Sequence, residues 1–136
     1  MMSDKLLDVE TMFDTLMTSA APEGITPIQW LHADSYEQAP FASWQAVNNG
    51  QYSYGLWNVT LILEVVADTV AMHDICAQLY AGIKSWGIPG EGVVPGIGFV
   101  EGIEDQGVFD KSSQSIVHGK FLAQASATFT LAVRVQ

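Results

Sequence analysis

The fold is decided by the stretch from Trp57 to Trp86, which reads WNVTLILEVVADTVAMHDICAQLYAGIKSW. Its first half alternates apolar and other side chains and is rich in β-branched residues, which predicts a long, largely buried strand over residues 57–67. The second half changes to helical spacing, with Asp68 as the predicted N-cap of a helix over residues 69–86. The apolar face of that helix consists of Met72, Ile75, Cys76, Leu79, Tyr80, Ile83 and Trp86. A helix that directly follows a strand is expected to fold back over the sheet.

The same two periodicities predict one further helix and four further strands. The helix covers residues 4–19, and the strands cover residues 28–32, 41–47, 97–103 and 121–135. Strands arranged in runs, rather than in repeated strand–helix–strand units, predict the α+β fold class. The expected architecture is a mainly antiparallel sheet, covered on one face by the N-terminal helix and the central helix. At this length the chain fits one α+β domain over residues 1–136.

Four segments are predicted to be turns or loops. Asn48-Asn49-Gly50 has the composition of a tight turn and would close a hairpin over residues 41–66. Residues 87–98 contain five glycines and two prolines, which is typical of a loop. The acidic segment 101–110 and the polar segment 111–120 are expected to be loops as well.

Composition narrows the classes of function. Five Lys and Arg against fifteen Asp and Glu give a formal net charge of −10, so tight wrapping of nucleic acid is not expected. The chain contains no apolar run long enough for a membrane span and no secretory signal pattern, so we expect no membrane association. Its single cysteine, Cys76, cannot form an internal disulfide and is interpreted as a small buried hydrophobe in a reducing, cytosol-like compartment.

The sequence offers no recognisable catalytic or metal-binding motif. His32, His73 and His118 are not spaced as metal ligands, and His73-Asp74 point about 100° apart on a helix. No nucleophile elbow and no phosphate-binding loop is present. No catalytic, cofactor-binding or metal-ligating residue is therefore assigned, and we expect a non-enzymatic function without a cofactor.

The one charged cluster of interest consists of Glu101, Glu104, Asp105 and Asp110. The plainest interpretation is a solvated loop. A paired-carboxylate active site would need one acid in an apolar pocket, and the neighbouring glycines favour exposure instead. The third interpretation is a surface that faces a partner or the lumen of a channel.

The element order resembles that of the tail terminator proteins of long-tailed bacteriophages. The matching features are the helix around residues 6–17, the strand at 56–67 with Asp68 opening the helix at 69–86, and the closing strand at 121–135. The alternating strand that ends in Val-Ala-Asp, followed by a helix with Ile75, Leu79 and Ile83, is the best local similarity. No match to that family is evident for the loop at 87–98.

The resemblance implies a structural role in the virion tail, with assembly in the host cytoplasm. A hexameric ring would cap the tail tube, stop its polymerisation and contact the tube protein and the head-completion protein. Acidic groups lining the lumen would repel the passing DNA. Two alternatives remain open: another head–tail connector or tail-tube protein, or a small α+β domain that binds a ligand or catalyses a reaction between sheet and helix.

Overall fold

The computed structural model describes residues 5–29, 40–117 and 120–136, and for residues 110–117 and 120 it describes the backbone. The described part contains two helices, α1 (Val9–Ala20) and α2 (Met72–Ser85). It contains six strands: β1 (Thr26–Gln29), β2 (Phe41–Ser53), β3 (Leu56–Asp68), β4 (Val93–Val94), β5 (Gly98–Val117) and β6 (Lys120–Val135). The elements follow one another in the order α1, β1, β2, β3, α2, β4, β5, β6.

All six strands belong to one sheet that curves into a half-barrel, in the order β1-β2-β3-β6-β5-β4. β1 runs parallel to β2, and every other neighbouring pair is antiparallel. The two strands with the cleanest alternation, β3 and β6, lie side by side at the centre, where Leu63 pairs with Ala127. Central strands bury one whole face, which explains why their pattern is the clearest in the sequence.

The core lies between one face of this sheet and the two helices. On β3 the alternate residues Val59, Leu61, Leu63 and Val65 are fully buried, as the alternation predicts. α1 and α2 both pack on this face, where Phe13 and Trp86 meet edge to face with ring centroids 5.9 Å apart. A Cβ at Gly82 would lie 3.3 Å from the Ala20 Cβ, so glycine lets the two helices approach closely. We call this the covered face; the other is the open face.

The predicted α+β class was wrong. More than twice as many residues lie in strands as in helices, and the sheet is a mixed half-barrel rather than the layout that the sequence indicated. The main reason is β5, a strand of twenty residues that covers the acidic segment 101–110 and the polar segment as far as Val117, both predicted to be loops. Four register shifts interrupt its pairing with β6, and such bulges remove the strict alternation by which a strand is recognised.

Two smaller predictions also differ from the structure. Asn48-Asn49-Gly50 does not turn the chain; it lies inside β2 at a register shift, where Gly50 has a φ of 114°. The turn that joins β2 to β3 comes at Tyr54–Gly55, so the hairpin exists but is longer than expected. Part of the strand predicted at 28–32 lies outside the described residues.

The helix starts were also placed too early. α1 begins at Val9 with Asp8 as its N-cap, whose side chain accepts a hydrogen bond from the Thr11 N–H at 3.1 Å. α2 begins at Met72, and β3 continues through Asp68. The Asp68 carboxylate accepts from the Val70 N–H at 2.8 Å, and so it stabilises a turn that precedes the helix.

The outer edge of β5 is largely free. β4 pairs with it at Gly98 and Phe99, and the Val100 N–H donates to the Gly92 carbonyl. Along the rest of β5, the part of the chain that the structure describes places no strand beside this edge.

Candidate functional site

A cleft of about 480 Å³ lies between α2 and strands β5 and β6; we call it the α2 cleft. Its lining residues are Thr69, Met72, His73, Cys76, Ala77, Tyr80, Val108, Phe109 and Ala125. Among the side chains that the structure describes here, none belongs to Asp, Glu, Lys or Arg, and most are apolar. The short side chains of Ala77 on α2 and Ala125 on β6 leave room between helix and sheet. The volume is within the range of about 300–1,000 Å³ that is usual for ligand sites.

Phe109 forms part of the cleft wall in an unusual backbone conformation. Its φ is 41°, in the left-handed region, which costs a residue other than glycine about 1–3 kcal/mol. It lies in the register shift between Gly107 and Asp110, and its ring packs edge to face on Phe129 with centroids 6.3 Å apart. The bulge therefore redirects this side chain against the buried ring of β6.

Cys76 lies in the cleft wall as a free thiol that is only 7% exposed, which confirms the prediction that it is buried. Its S–H donates to the Met72 Sδ at 3.5 Å. Burial raises the pKa of the Cys76 thiol to about 11. The thiol is therefore protonated at neutral pH and acts as an apolar wall rather than as a nucleophile.

One side of the cleft is fixed by polar contacts between α2 and β5. The Tyr80 hydroxyl donates to the Asp105 Oδ2 at 2.7 Å, and the Lys84 Nζ lies 3.5 Å from the Asp105 Oδ1. The hydrogen bond to the Asp105 carboxylate raises the pKa of the Tyr80 phenol. Asp105 thereby connects β5 to α2.

The turn between β2 and β3 is a second distinctive surface, and we call residues 52–56 the aromatic turn. Tyr52 and Tyr54 are 55% and 61% exposed. Gly55 has a φ of 71°, and its N–H donates to the Gln51 Oε1 at 2.6 Å. The Arg134 Nη1 donates to the Tyr54 carbonyl at 3.0 Å. These bonds hold the backbone of the turn while both rings remain in solvent.

Arg134 also connects this turn to the acidic part of β5. Its Nε and Nη2 donate to the two carboxylate oxygens of Glu101 at 2.7 and 3.3 Å, a two-point contact that suits a guanidinium. The hydrogen bond with Glu101 raises the pKa of Arg134. Glu101 is therefore ion-paired with a residue of the neighbouring strand β6.

The four acids predicted as one loop cluster are in fact spread along β5. Glu101 contacts Arg134, whereas Asp105 contacts α2 on the covered face. Glu104 pairs in register with Thr130 and is exposed on the open face. The backbone of Asp110 pairs with Ser126. The structure therefore does not bring these carboxylates together, and the prediction that they form a loop was wrong.

The open face carries a shallow groove of about 470 Å³ beside Tyr52. Its lining residues are Tyr52, Asn58, Gly102, Ile103, Glu104, Thr130, Leu131 and Ala132. Nearby, the Asn49 Nδ2 donates to the Thr60 hydroxyl at 2.7 Å. Around this groove, the open face presents the amide and hydroxyl groups of Asn49, Asn58, Thr60 and Thr130 and the carboxylate of Glu104.

Metal and membrane sites can be assessed only within the described residues. There, no group of three or more His, Cys, Asp and Glu could hold a metal ion. His73 is exposed at the cleft, and His32 and His118 lie outside the described residues. Neither described helix has the length and apolar character that a membrane span requires.

These features define a β-rich half-barrel with one covered face, one open face, a cleft whose described lining is mostly apolar, and an exposed aromatic turn. Neither the models of known protein families nor the curated proteins include a match to this chain. From sequence, a pocket between sheet and helix was expected only as an alternative, without its lining residues, and the aromatic turn was missed. The signal for the turn was present in Tyr52-Ser53-Tyr54-Gly55, but Asn48-Asn49-Gly50 was the stronger turn motif.

Proposed function

We propose that the protein is a non-enzymatic structural subunit that self-associates into a ring and acts as the tail terminator of a long-tailed bacteriophage. In this role the ring caps the tail tube, stops its polymerisation and contacts the tube protein and the head-completion protein. The protein would be part of the virion tail, after assembly in the host cytoplasm. The similarity of element order described above supports the specific role, and the charge distribution supports ring formation.

The observation that carries the proposal is the separation of charge across the sheet. The sequence contains no Asp, Glu, Lys or Arg between Glu37 and Glu64, so all of β2 and most of β3 are uncharged. β5 instead carries four acids, Glu101, Glu104, Asp105 and Asp110, and one basic residue, Lys111.

Distance and screening keep these two sides electrostatically independent. In the strand order, β2 and β5 are three strand spacings apart, which corresponds to about 14 Å. The Debye length at physiological ionic strength is about 8 Å. The acids of β5 therefore repel only weakly a neighbour that contacts the uncharged side.

A ring subunit can use each side for a different task. The uncharged side allows copies with a charge of −10 each to approach one another. Glu104, exposed on the open face, contributes negative charge toward a lumen and repels DNA phosphates that pass through. The ion pairs of Glu101 and Asp105 reduce what those two residues contribute, so Glu104 is the residue to test.

The experiment is light scattering behind a sizing column over a concentration series, with negative-stain images of any large species. We expect a ring of about six copies whose mass is unchanged in Glu104→Gln and in the control Asp14→Asn on α1. DNA should be retained by rings of Glu104→Gln more than by rings of Asp14→Asn. A chain that remains at 14.7 kDa at every concentration would contradict self-assembly.

A second candidate function is the binding of a small molecule, which the size and apolar lining of the α2 cleft favour. This function predicts a discrete species whose melting temperature rises when a ligand is added. A library screen by thermal shift on the non-associating protein would detect it. The two candidates differ in their dependence on protein concentration, because a ring is favoured at high concentration and a ligand complex of fixed stoichiometry is not.

A further inference from the structure

The groove beside Tyr52 on the open face contains polar groups that the protein itself does not use, and we call it the open-face groove. Within the residues that the structure describes, the side chains of Tyr52, Thr130 and Glu104 form no hydrogen bond or ion pair. The Asn58 Oδ1 accepts a long hydrogen bond of 3.5 Å from the Asn49 Nδ2. These four lining residues can therefore bind a ligand without first breaking a strong contact in the protein.

Two small residues form the floor of the open-face groove. Asn58, Ala132 and Gly102 lie side by side on β3, β6 and β5, because Ala132 pairs with both of the others. Thr130 pairs with Glu104 two residues further along, about 7 Å away on the same face. A Cβ at Gly102 would have no atom within 4 Å, so the space above the floor is open. A flat ring can rest there between Asn58 and the Thr130–Glu104 pair.

The side chains around this floor suit a saccharide. A pyranose has a face of C–H bonds, which packs on an aromatic ring, and a rim of hydroxyls that both donate and accept hydrogen bonds. The Tyr52 ring is 55% exposed at the side of the groove and provides the aromatic surface. The Asn58 amide and the Thr130 hydroxyl each donate and accept, and the Glu104 carboxylate accepts. One sugar unit would satisfy all of these groups together.

The charge of the groove disfavours other classes of ligand. All eight lining side chains are described, and Glu104 is the one charged residue among them. Glu104 and the net charge of −10 repel ligands that carry phosphate, sulfate or carboxylate groups. A hydrocarbon would remove the Asn58 amide and the Thr130 hydroxyl from water without giving them partners. A simple cation would pair with Glu104 alone and leave the amide and the hydroxyl unused.

We propose that the open-face groove binds one unit of a neutral saccharide, packed on Tyr52 and hydrogen-bonded to Asn58, Thr130 and Glu104. One chain forms the whole groove, so this inference goes beyond the proposed ring and does not depend on it. If Glu104 faces the lumen of a ring, a lumen wide enough for DNA also admits a short oligosaccharide. The site is therefore accessible in the single chain and in the ring.

Two pairs of variants test the aromatic contact and the floor. Tyr52→Ala removes the aromatic surface, and Tyr54→Ala is its matched control, because Tyr54 is in the same turn, is 61% exposed and lies outside the groove lining. Gly102→Leu fills the open floor. Gly107→Leu is its matched control on the same strand, since a Cβ at Gly107 also has no atom within 4 Å and Gly107 does not line the groove. Circular dichroism and melting curves establish that each variant is folded.

A third pair tests the hydrogen bonds. Thr130→Val replaces the hydroxyl by a methyl group of similar size. Thr128→Val is the matched control, because Thr128 is on the same strand and the same face by alternation but outside the groove lining. Neither change alters the charge of the chain, so a difference between them in saccharide affinity reports the Thr130 hydroxyl.

The assay is titration by saturation-transfer NMR with four neutral hexasaccharides, composed of α-linked glucose, β-linked glucose, N-acetylglucosamine or mannose. We expect at least one to bind, with affinity at least ~10-fold weaker in Tyr52→Ala and Gly102→Leu and about 5-fold weaker in Thr130→Val. The three control variants should match the unsubstituted chain. A heparin-derived hexasaccharide, which is anionic, should not bind.

Each other result overturns the saccharide site. If none of the four neutral hexasaccharides binds, the groove has a different use. If one binds with the same affinity to Tyr52→Ala and Gly102→Leu, its site lies elsewhere on the molecule. If the heparin hexasaccharide binds as well as the neutral ones, the charge argument is wrong. None of these results affects the proposed ring, which is tested by mass in solution.

Discussion

Replacing Phe129 by alanine tests the core beneath the α2 cleft. Phe129 is fully buried on β6, between the rings of Tyr80 and Phe109, each with its centroid 6.3 Å away. Truncation of a buried phenylalanine typically costs 3–5 kcal/mol. The upper half of this range applies because Phe109 would lose the ring that supports its left-handed backbone. We therefore expect a loss of about 4 kcal/mol.

Phe121 is the matched control, because it is the same residue type, on the same strand and on the same face by sequence alternation. It is 57% exposed, so Phe121→Ala should change the free energy of unfolding by no more than about 0.5 kcal/mol. Urea unfolding measures both variants, with the slope m required to stay constant. For m near 2 kcal/mol/M, Phe129→Ala should lower the midpoint by about 2 M. Equal shifts for the two variants would refute the burial difference on which the argument depends.

Two further predictions concern backbone space and pH. Gly92→Ala places a Cβ 2.5 Å from the Trp86 carbonyl oxygen and should cost about 1–3 kcal/mol in urea unfolding, whereas Gly102→Ala has no atom within 4 Å and should be nearly neutral. The folded pKa of Cys76, about 11, exceeds the ordinary 9.0, so the associated stability is complete below pH 9 and falls as pH rises to 11. Two pKa units set a limit of about 2.7 kcal/mol, and solvent in the cleft reduces the expected loss to about 1–2 kcal/mol. Between pH 9 and pH 11, Cys76→Ala should lose less stability than the unsubstituted chain. Parallel curves of unfolding free energy against pH for the two chains would contradict ionisation of Cys76 as the cause.

The parts of the fold that could be predicted from sequence are those where burial imposes a period. Leu61 and Leu63 are buried on the covered face of β3, between strands β2 and β6. Leu79 and Ile83 on α2 face the core, so in both elements the apolar spacing follows burial. Within the described residues, β5 has one strand neighbour along most of its length, and it is mostly exposed from Glu101 to Val108. Exposed positions do not need apolar residues, and bulges shift the alternation by one residue. The sequence of β5 therefore lacks the alternating pattern of a strand and was predicted to be a loop.

The position of the turn between β2 and β3 could not be decided from residue types alone. Asn48-Asn49-Gly50 and Tyr54-Gly55 both offer a glycine with positive φ, and the structure uses the first in a bulge and the second in the turn. The choice is made by pairing with β3, where Asn48 opposes Val59 and Gly50 opposes Asn58. A pocket between sheet and helix was one of the alternatives from sequence, but its lining residues could not be predicted, because they depend on how β5 and β6 pack against α2.

The central pairing of β3 with β6 determines how fast the chain can fold. Each strand belongs to a local hairpin, β2–β3 or β5–β6, that can form early because its partners are close in sequence. Joining the hairpins brings Leu63 beside Ala127 across more than sixty residues, and this closure must precede burial of the apolar faces. We therefore expect folding in milliseconds to seconds rather than microseconds, with substitutions along the β3–β6 seam slowing it most.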